Sequence, residues 1–312
     1  MATLLYTHPA CLKHDTGPHH PERPERLRAI LAALQGETFA ALDRREAPRA
    51  EKAQLMRVHP EGYVNWVLAQ IPREGWAGLD ADTIVSSDSG EAALRAAGAV
   101  CAAVDAVLAG EARNAFCAVR PPGHHAEPEQ AMGFCLFNNV AVAAQQARAA
   151  HGLKRIAVVD FDVHHGNGTQ AVFERDADLF YASTHQSPLY PGTGQAHERG
   201  TAGNVVNAPL PPFAGSAEFR AAMEGVVLPA LDAFRPELVL ISAGFDAHTR
   251  DPLASLNLVE DDYGWVTRQL YAVAARHAQG RVVSALEGGD DLKALAASVS
   301  AHVDALLSDP AG

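Results

Sequence analysis

Two stretches of this chain, Ile-Ala-Val-Val-Asp at 156–160 and Leu-Val-Leu-Ile-Ser-Ala at 238–243, are almost continuously apolar. A run of five or six such residues is too short for a buried helix, and it suits a strand covered on both faces, as in a parallel sheet. Four more short runs, at 3–7, 115–119, 178–183 and 281–286, read as strands of the same sheet. Segments of helical length and period lie between and after them, at 90–108, 137–150, 217–233, 260–277 and 291–307. Strands alternating with helices predict a doubly wound α/β sheet with right-handed crossovers. No internal repeat or low-complexity linker divides the 312 residues, so one domain spanning 1–312 is expected. The proline-containing stretch 201–217 reads as a long loop.

The polar motifs fall at one place in this pattern. PPGHH follows the strand at 115–119, DFDVHHG begins where IAVV ends, SAGFD follows LVLI and EGGDD follows VVSAL. Each therefore starts at the carboxyl end of a strand, the edge where ligands sit in open parallel sheets. The 15 histidines are concentrated in such segments, beside Gly, Pro or Asp, as expected of a metal or acid/base site.

Composition narrows the partners. Against 25 Lys+Arg stand 37 Asp+Glu, a formal charge of −12, which repels nucleic acid and favours cationic substrates. With 48% hydrophobic residues the chain can bury a sizeable core. The N-terminal MATLLYTHPA has no signal-peptide character, and the longest mostly apolar stretch, 131–147, is too polar to span a bilayer. Cys11, Cys101, Cys117 and Cys135 show no CxxC spacing and read as reduced thiols. The expectation is a cytoplasmic protein without a membrane partner; homo-oligomerisation is left open.

Asp162 and His164 lie two apart and project from the same side of an extended segment, while Asp246 arrives from another strand end. One imidazole nitrogen and two carboxylates, with a position left for water, match a catalytic zinc site. Asp162 and His164 would equally well cap a helix starting near Asn167. The tandem His124–His125 could take a proton from water and return it to a leaving amine, with Asp160 and Asn167 fixing their tautomers. Two loop histidines bonded to backbone would read the same way.

Six motifs in order, RPPGHHA (120–126), GFCLFNNVA (133–141), DFDVHHGNGT (160–169), YPGTG (190–194), SAGFDAH (242–248) and LEGGDDL (286–292), strongly resemble the zinc-dependent histone deacetylase and acetylpolyamine amidohydrolase family. The N-terminal CLKHDTGPHHPERPERL resembles its class II branch. The resemblance implies an arginase/deacetylase fold, with about eight parallel strands and helices on both faces. It implies a hydrolase acting on the acyl amide of an acylated lysine, in a peptide or protein, or of an acylated small amine. By resemblance, Asp162, His164 and Asp246 become zinc ligands, and His124 and His125 the acid/base pair supported by Asp160 and Asn167. Phe134 and Tyr190 become the walls of an acyl-lysine tunnel, with Gly133, Leu253 and Gly288 along it. A structural potassium ion (K+) is implied near Asp160, Asp162, His164, Ser183 and Thr184. Arginases share this fold with two manganese ions, but Gly166 stands here where they carry a further carboxylate, which favours a mononuclear site. Leu253 stands where polyamine-specific relatives carry an acidic residue, which favours acyl-lysine.

One position departs from the family. Its last motif ends in a tyrosine that donates a hydrogen bond to the scissile carbonyl, and this chain has Asp290. An ionised Asp donates no hydrogen bond, and loss of one oxyanion donor typically costs about 10²–10³ in turnover. Three readings follow: a deacetylase with much reduced activity, a hydrolase of other acyl groups, esters or acetylpolyamines, or a zinc-containing binder of acyl-amines with little turnover. An Asp290 turned to solvent in a remodelled loop is a fourth. His19, where relatives usually have Gly, adds an imidazole near the expected tunnel mouth, either touching substrate or simply solvated.

Overall fold

A computed structural model describes residues 2–308. Its centre is an eight-stranded sheet in which every neighbouring pair is parallel. The strands are β1 (Ala2–Thr7), β2 (Leu42–Glu46), β5 (Ala112–Cys117), β6 (Ile156–Asp160), β7 (Leu179–Gln186), β8 (Val205–Leu210), β9 (Leu238–Ala243) and β10 (Val282–Leu286). A small antiparallel hairpin, β3 (Trp76–Gly78) with β4 (Ile84–Ser86), stands apart. The sheet order is β2-β1-β5-β10-β9-β6-β7-β8. The four strands that carry the polar motifs, β5, β10, β9 and β6, are thus consecutive in its centre. Every residue of β6, β9 and β10 is buried, as two-sided coverage requires.

The helices are α1 (Pro24–Ala33), α2 (Lys52–Leu55), α3 (Glu61–Ala69), α4 (Ser89–Leu108), α5 (Asn139–His151), α6 (Asn167–Phe173), α7 (Ser216–Ala222), α8 (Leu228–Phe234), α9 (Glu260–His277) and α10 (Leu292–Leu307). A π-helical turn, Met223–Val227, joins α7 to α8, so the single helix expected over 217–233 is one run with a wide turn at its middle. In one layer α4 packs on α5 and on β1, β5 and β10. In the other, α10 lies between α1 and α9. All four cysteines are free and buried. No helix among the described residues is long and apolar enough to cross a membrane.

One expectation is overturned. The stretch 201–217 is not one long loop, because Val205–Leu210 forms strand β8. Its Pro209 is tolerated because β8 is an edge strand, paired only with β7, where a missing N–H leaves no second neighbour unserved.

Candidate metal centre and its tunnel

The loops leaving β5, β6, β9 and β10 close over one cavity of about 220 Å³. The β6 exit builds its centre. Asp160 ends the strand, and its Oδ1 accepts the Asp162 N–H at 3.1 Å, curling the chain so that Asp162 and His164 point back over the sheet. Asp162 Oδ1 in turn accepts the His164 N–H at 2.8 Å. From β9, Asp246 is fixed by the Val163 N–H, 2.8 Å from its Oδ1. From β10, the Gly288 N–H holds Asp162 Oδ2 at 2.8 Å. His164 Nδ1 then stands 3.1 Å from Asp162 Oδ1 and 3.2 Å from Asp246 Oδ2. Asp162, His164 and Asp246 each offer a ligand atom, all within 4.8 Å of one another. They do not cap α6: its N-cap is Gly166, with no side-chain cap bond.

Burial and close approach perturb every member of this trio. Burial, then the Asp162 charge, pushes the Asp246 carboxyl above its usual range. Burial disfavours charge on His164, but Asp162 and Asp246 together raise it well above the ordinary imidazole value. The buried carboxylates are compensated by two imidazoles, Asp162 by His124 and His164 and Asp246 by His164. The space is tailored too, since a Cβ on Gly288 would overlap Asp246 Oδ2 and one on Gly244 would overlap Asp162 Oδ2.

The tandem histidines come from the loop after β5, ring centroids 4.0 Å apart. Both expected partners are in place. His124 Nδ1 lies 2.9 Å from Asp160 Oδ2, and His125 Nδ1 lies 2.8 Å from Asn167 Oδ1. Their environments drive them apart. Burial works against a charged His124, yet Asp160, Asp162 and Glu287 outweigh it and raise it to about 10. For His125 burial acts first, the positive charges of His124 and His164 add to it, and the imidazole falls well below its usual value. The tandem pair is thereby divided, His124 drawn toward its charged form and His125 toward its neutral form, a division that acid/base work at one carbonyl can use.

Two aromatic residues, Phe134 and Tyr190, line the cavity beside the histidines. Tyr190, 38% exposed, meets His125 edge-on at 5.1 Å. Phe134 lies against His20, centroids 4.8 Å apart. Gly133, Gly288 and Leu253 also line the cavity, Leu253 at its outer edge with 36% exposure. Asp160, Ser183 and Thr184, expected near a potassium ion, are neighbours across the β6–β7 pairing, with Asp160 opposite Ser183.

Asp290 lines the same cavity and is only 8% exposed, so it does not turn away into solvent. Its N–H donates to Asp251 Oδ2 at 2.7 Å, and its Oδ1 lies 4.0 Å from Arg26 Nε. Burial, opposed by Arg26 and reinforced by Asp246 and Glu22, pushes its carboxyl up to about 6. Arg26 is fully buried, with Nε 2.5 Å from the Gly289 carbonyl and another nitrogen 2.5 Å from that of Glu287. Glu22 holds Arg26 at 3.0 Å and also pairs with Arg120.

Several residues that build the site have no counterpart among the sequence expectations. Glu287 Oε2 accepts the N–H groups of Gly123 and His124 at 2.7 and 3.1 Å, and its Oε1 accepts the Ser242 hydroxyl at 3.0 Å. Tyr181 donates to Asp160 Oδ2 at 3.1 Å. Glu22, Arg26 and Arg120 form the buried charge network behind Asp290. The only trace of Glu287 in the sequence is its place beside Gly288. The Glu22–Arg120 pair, 98 residues apart, leaves no local trace at all.

Comparison with known proteins agrees with this geometry. A family model described as "Histone deacetylase domain" matches residues 20–306. The "Histone deacetylase-like amidohydrolase" of Pseudomonas aeruginosa is 42% identical over 92% of this chain and 81% of its own. A "Probable deacetylase" of Archaeoglobus fulgidus is 40% identical over 93% and 81%. The solved HD domain of HDA15 superposes with a TM-score of 0.93 at 37% identity, covering 98% of this chain and 88% of that one. With the motif order, the sheet and the site all in agreement, the chain belongs to the histone deacetylase family.

Proposed function

We propose that this protein is a zinc-dependent amidohydrolase that cleaves the acyl amide of an acylated lysine, or of a related acylated amine, with turnover held down by Asp290. The observation that carries the reading is the open set Asp162, His164 and Asp246 facing a charged and a neutral histidine at the base of an aromatic-walled tunnel. The residues fit the ion: one nitrogen and two crowded, buried carboxylates, with glycines where a side chain would intrude. Zinc bound there would supply Lewis acidity toward the scissile carbonyl and the attacking water. A potassium ion among Asp160, Ser183 and Thr184 belongs to the same proposal.

The remaining chemistry rests on this chain's own side chains. With Nδ1–H donated to Asn167, His125 keeps Nε2 free to take the proton of the attacking water and pass it to the departing amine. His124, protonated and anchored by Asp160, contributes positive charge beside the carbonyl. Phe134 and Tyr190 grip the alkyl stem and exclude water. At Asp290 no phenol is available to donate to the oxygen as it gains charge, so that oxygen loses a partner. The same residue favours a second reading, a binder of acyl-amines with little turnover. Leu253 at the rim favours acyl-lysine over polyamine.

The test is metal content and single-turnover hydrolysis of an acetyl-lysine peptide. Wild type should hold about one zinc per chain and hydrolyse the peptide faster than its metal-free form. Asp246→Ala should lose both properties. A wild type that takes up no zinc, or whose zinc-loaded rate equals the metal-free rate, overturns the enzyme reading.

A further inference from the structure

Beside the tunnel lies a second cleft of about 600 Å³, and Leu253 and Asp290 line both. Its walls come from three separate segments, the turn before α1, the loop after β9 and the start of α10. They bring Arg23, Arg250 and Lys293 together, with His19 at the edge. In a chain of net charge −12 such a gathering of cations is unexpected. The carboxylates of the cleft are already engaged. Asp291 caps α10 through the N–H groups of Lys293 and Ala294 at 3.1 and 2.8 Å, and it lies 3.3 Å from Arg250. Asp290 faces Arg26. Among the described residues, the side chains of Arg23 and Lys293 have no hydrogen bond or ion pair. The tunnel also has an acidic flank, where Asp82 lines the cavity and Asp80, Asp82 and Glu127 all act on Tyr190.

We propose that this cleft is a docking subsite for an acidic segment of the substrate, receiving Asp or Glu side chains next to the acylated residue. The inference rests on the acyl-lysine reading of the tunnel. A peptide whose acylated side chain enters the tunnel must lie across its rim, and on the Leu253 side the next surface it meets is this cleft. There a carboxylate meets two unpartnered cations on an otherwise acidic molecule, which gives selectivity and faster encounter rather than great affinity. A dianionic phosphate fits less well, because Asp290 and Asp291 stand in the same walls. His19 thereby gains a setting, at the edge of the cleft rather than inside the tunnel.

The test uses three acetyl-lysine peptides that differ only in flanking residues, Asp, Ala or Lys, together with a minimal acetyl-lysine amide. Binding to the zinc-loaded protein is read by fluorescence polarisation and hydrolysis by mass spectrometry, at low and high salt. Wild type should prefer Asp over Lys flanks by about tenfold at low salt, and the preference should shrink as salt screens it. The double variant Arg23→Glu/Lys293→Glu, checked by thermal melting, should lose or reverse that order while treating the minimal amide as wild type does. No flank preference in wild type, or a preference that survives in the double variant, overturns the subsite. If the minimal amide is still hydrolysed in that case, the proposed function stands without the subsite. Tighter binding of a phosphoserine-flanked peptide than of its Asp counterpart also counts against the proposal. The polarisation arm keeps the test decisive even where Asp290 leaves hydrolysis slow.

Discussion

Glu287 shows how much of the site depends on groups that never meet a substrate. Its two oxygens gather donors from the β5 loop and from β9, and so hold the backbone of His124 over the sheet edge. Glu287→Ala would strand three buried donors, and at about 1–3 kcal/mol for each, stability should fall by at least ~3 kcal/mol in a urea melt. Glu287→Gln should stay close to wild type, because the amide oxygen can still accept both N–H groups while its NH₂ donates to the Ser242 hydroxyl. An Ala variant as stable as wild type would show that the bridge contributes nothing. Gly288 makes a different demand. Gly288→Ala would drive a methyl into the carboxylates of Asp246 and Asp162. Zinc affinity measured against a chelator should then drop by at least about tenfold, as for other displaced ligand supports. Unchanged affinity would separate Gly288 from the metal centre.

At the scale of elements, what the sequence disclosed follows from what buries each strand. The all-buried strands β6, β9 and β10 are legible as apolar runs, and helix α9 falls on its expected bounds, 260–277. The two edge strands escaped for opposite reasons. In β2 only Leu42 is buried and the four charged residues after it alternate between half-buried and exposed, so it lacks the apolar run expected of a central parallel strand. In β8 the proline masked a strand that needs hydrogen bonds on one side only. Residue types and their order at strand ends were enough to place His124, His125, Asp162, His164 and Asp246. They could not reveal the Glu22–Arg26–Arg120 network, whose members meet only through the fold. Element packing brings its own prediction. On α4, Gly98 faces the 48–50 backbone so closely that a Cβ would overlap the Pro48 carbonyl. Gly98→Ala should therefore destabilise the protein by about 1–3 kcal/mol despite its better helix propensity. A variant as stable as wild type would mean that the helix can move away at no cost.

Across the whole molecule, buried histidines outside the candidate metal centre couple stability to pH. His59 donates to the Pro128 carbonyl and accepts the Asn138 N–H, and burial lowers its imidazole from 6.5 to about 4. His302, between Thr267 and Ser284, is lowered by burial to about 3. A depressed imidazole stabilises the fold fully above its unfolded value, and that contribution is lost as pH falls from about 6.5 toward the folded value. Glu287 and Asp251, raised by burial to about 7 and 8, pull the other way, so the difference between proteins is the diagnostic quantity. Between pH 6 and pH 4.5, the stability of wild type should fall more steeply than that of His59→Gln, by up to about 1.4 kcal/mol per pH unit. Parallel curves would contradict a neutral, buried His59.

By the family resemblance and the proposed function, Asp290 is the point at which this deacetylase-like frame departs from its family. In the proposed function, the metal trio, tandem histidines, aromatic walls and supporting network are assembled, and the donor to the developing oxyanion is the part that Asp290 does not supply. The most direct test compares wild type with Asp290→Tyr, both zinc-loaded, for turnover of an acetyl-lysine peptide. A rise of about 10²-fold or more is the predicted result, the value of one restored oxyanion donor. A rate that stays level or falls would contradict the account and assign Asp290 to a different chemistry.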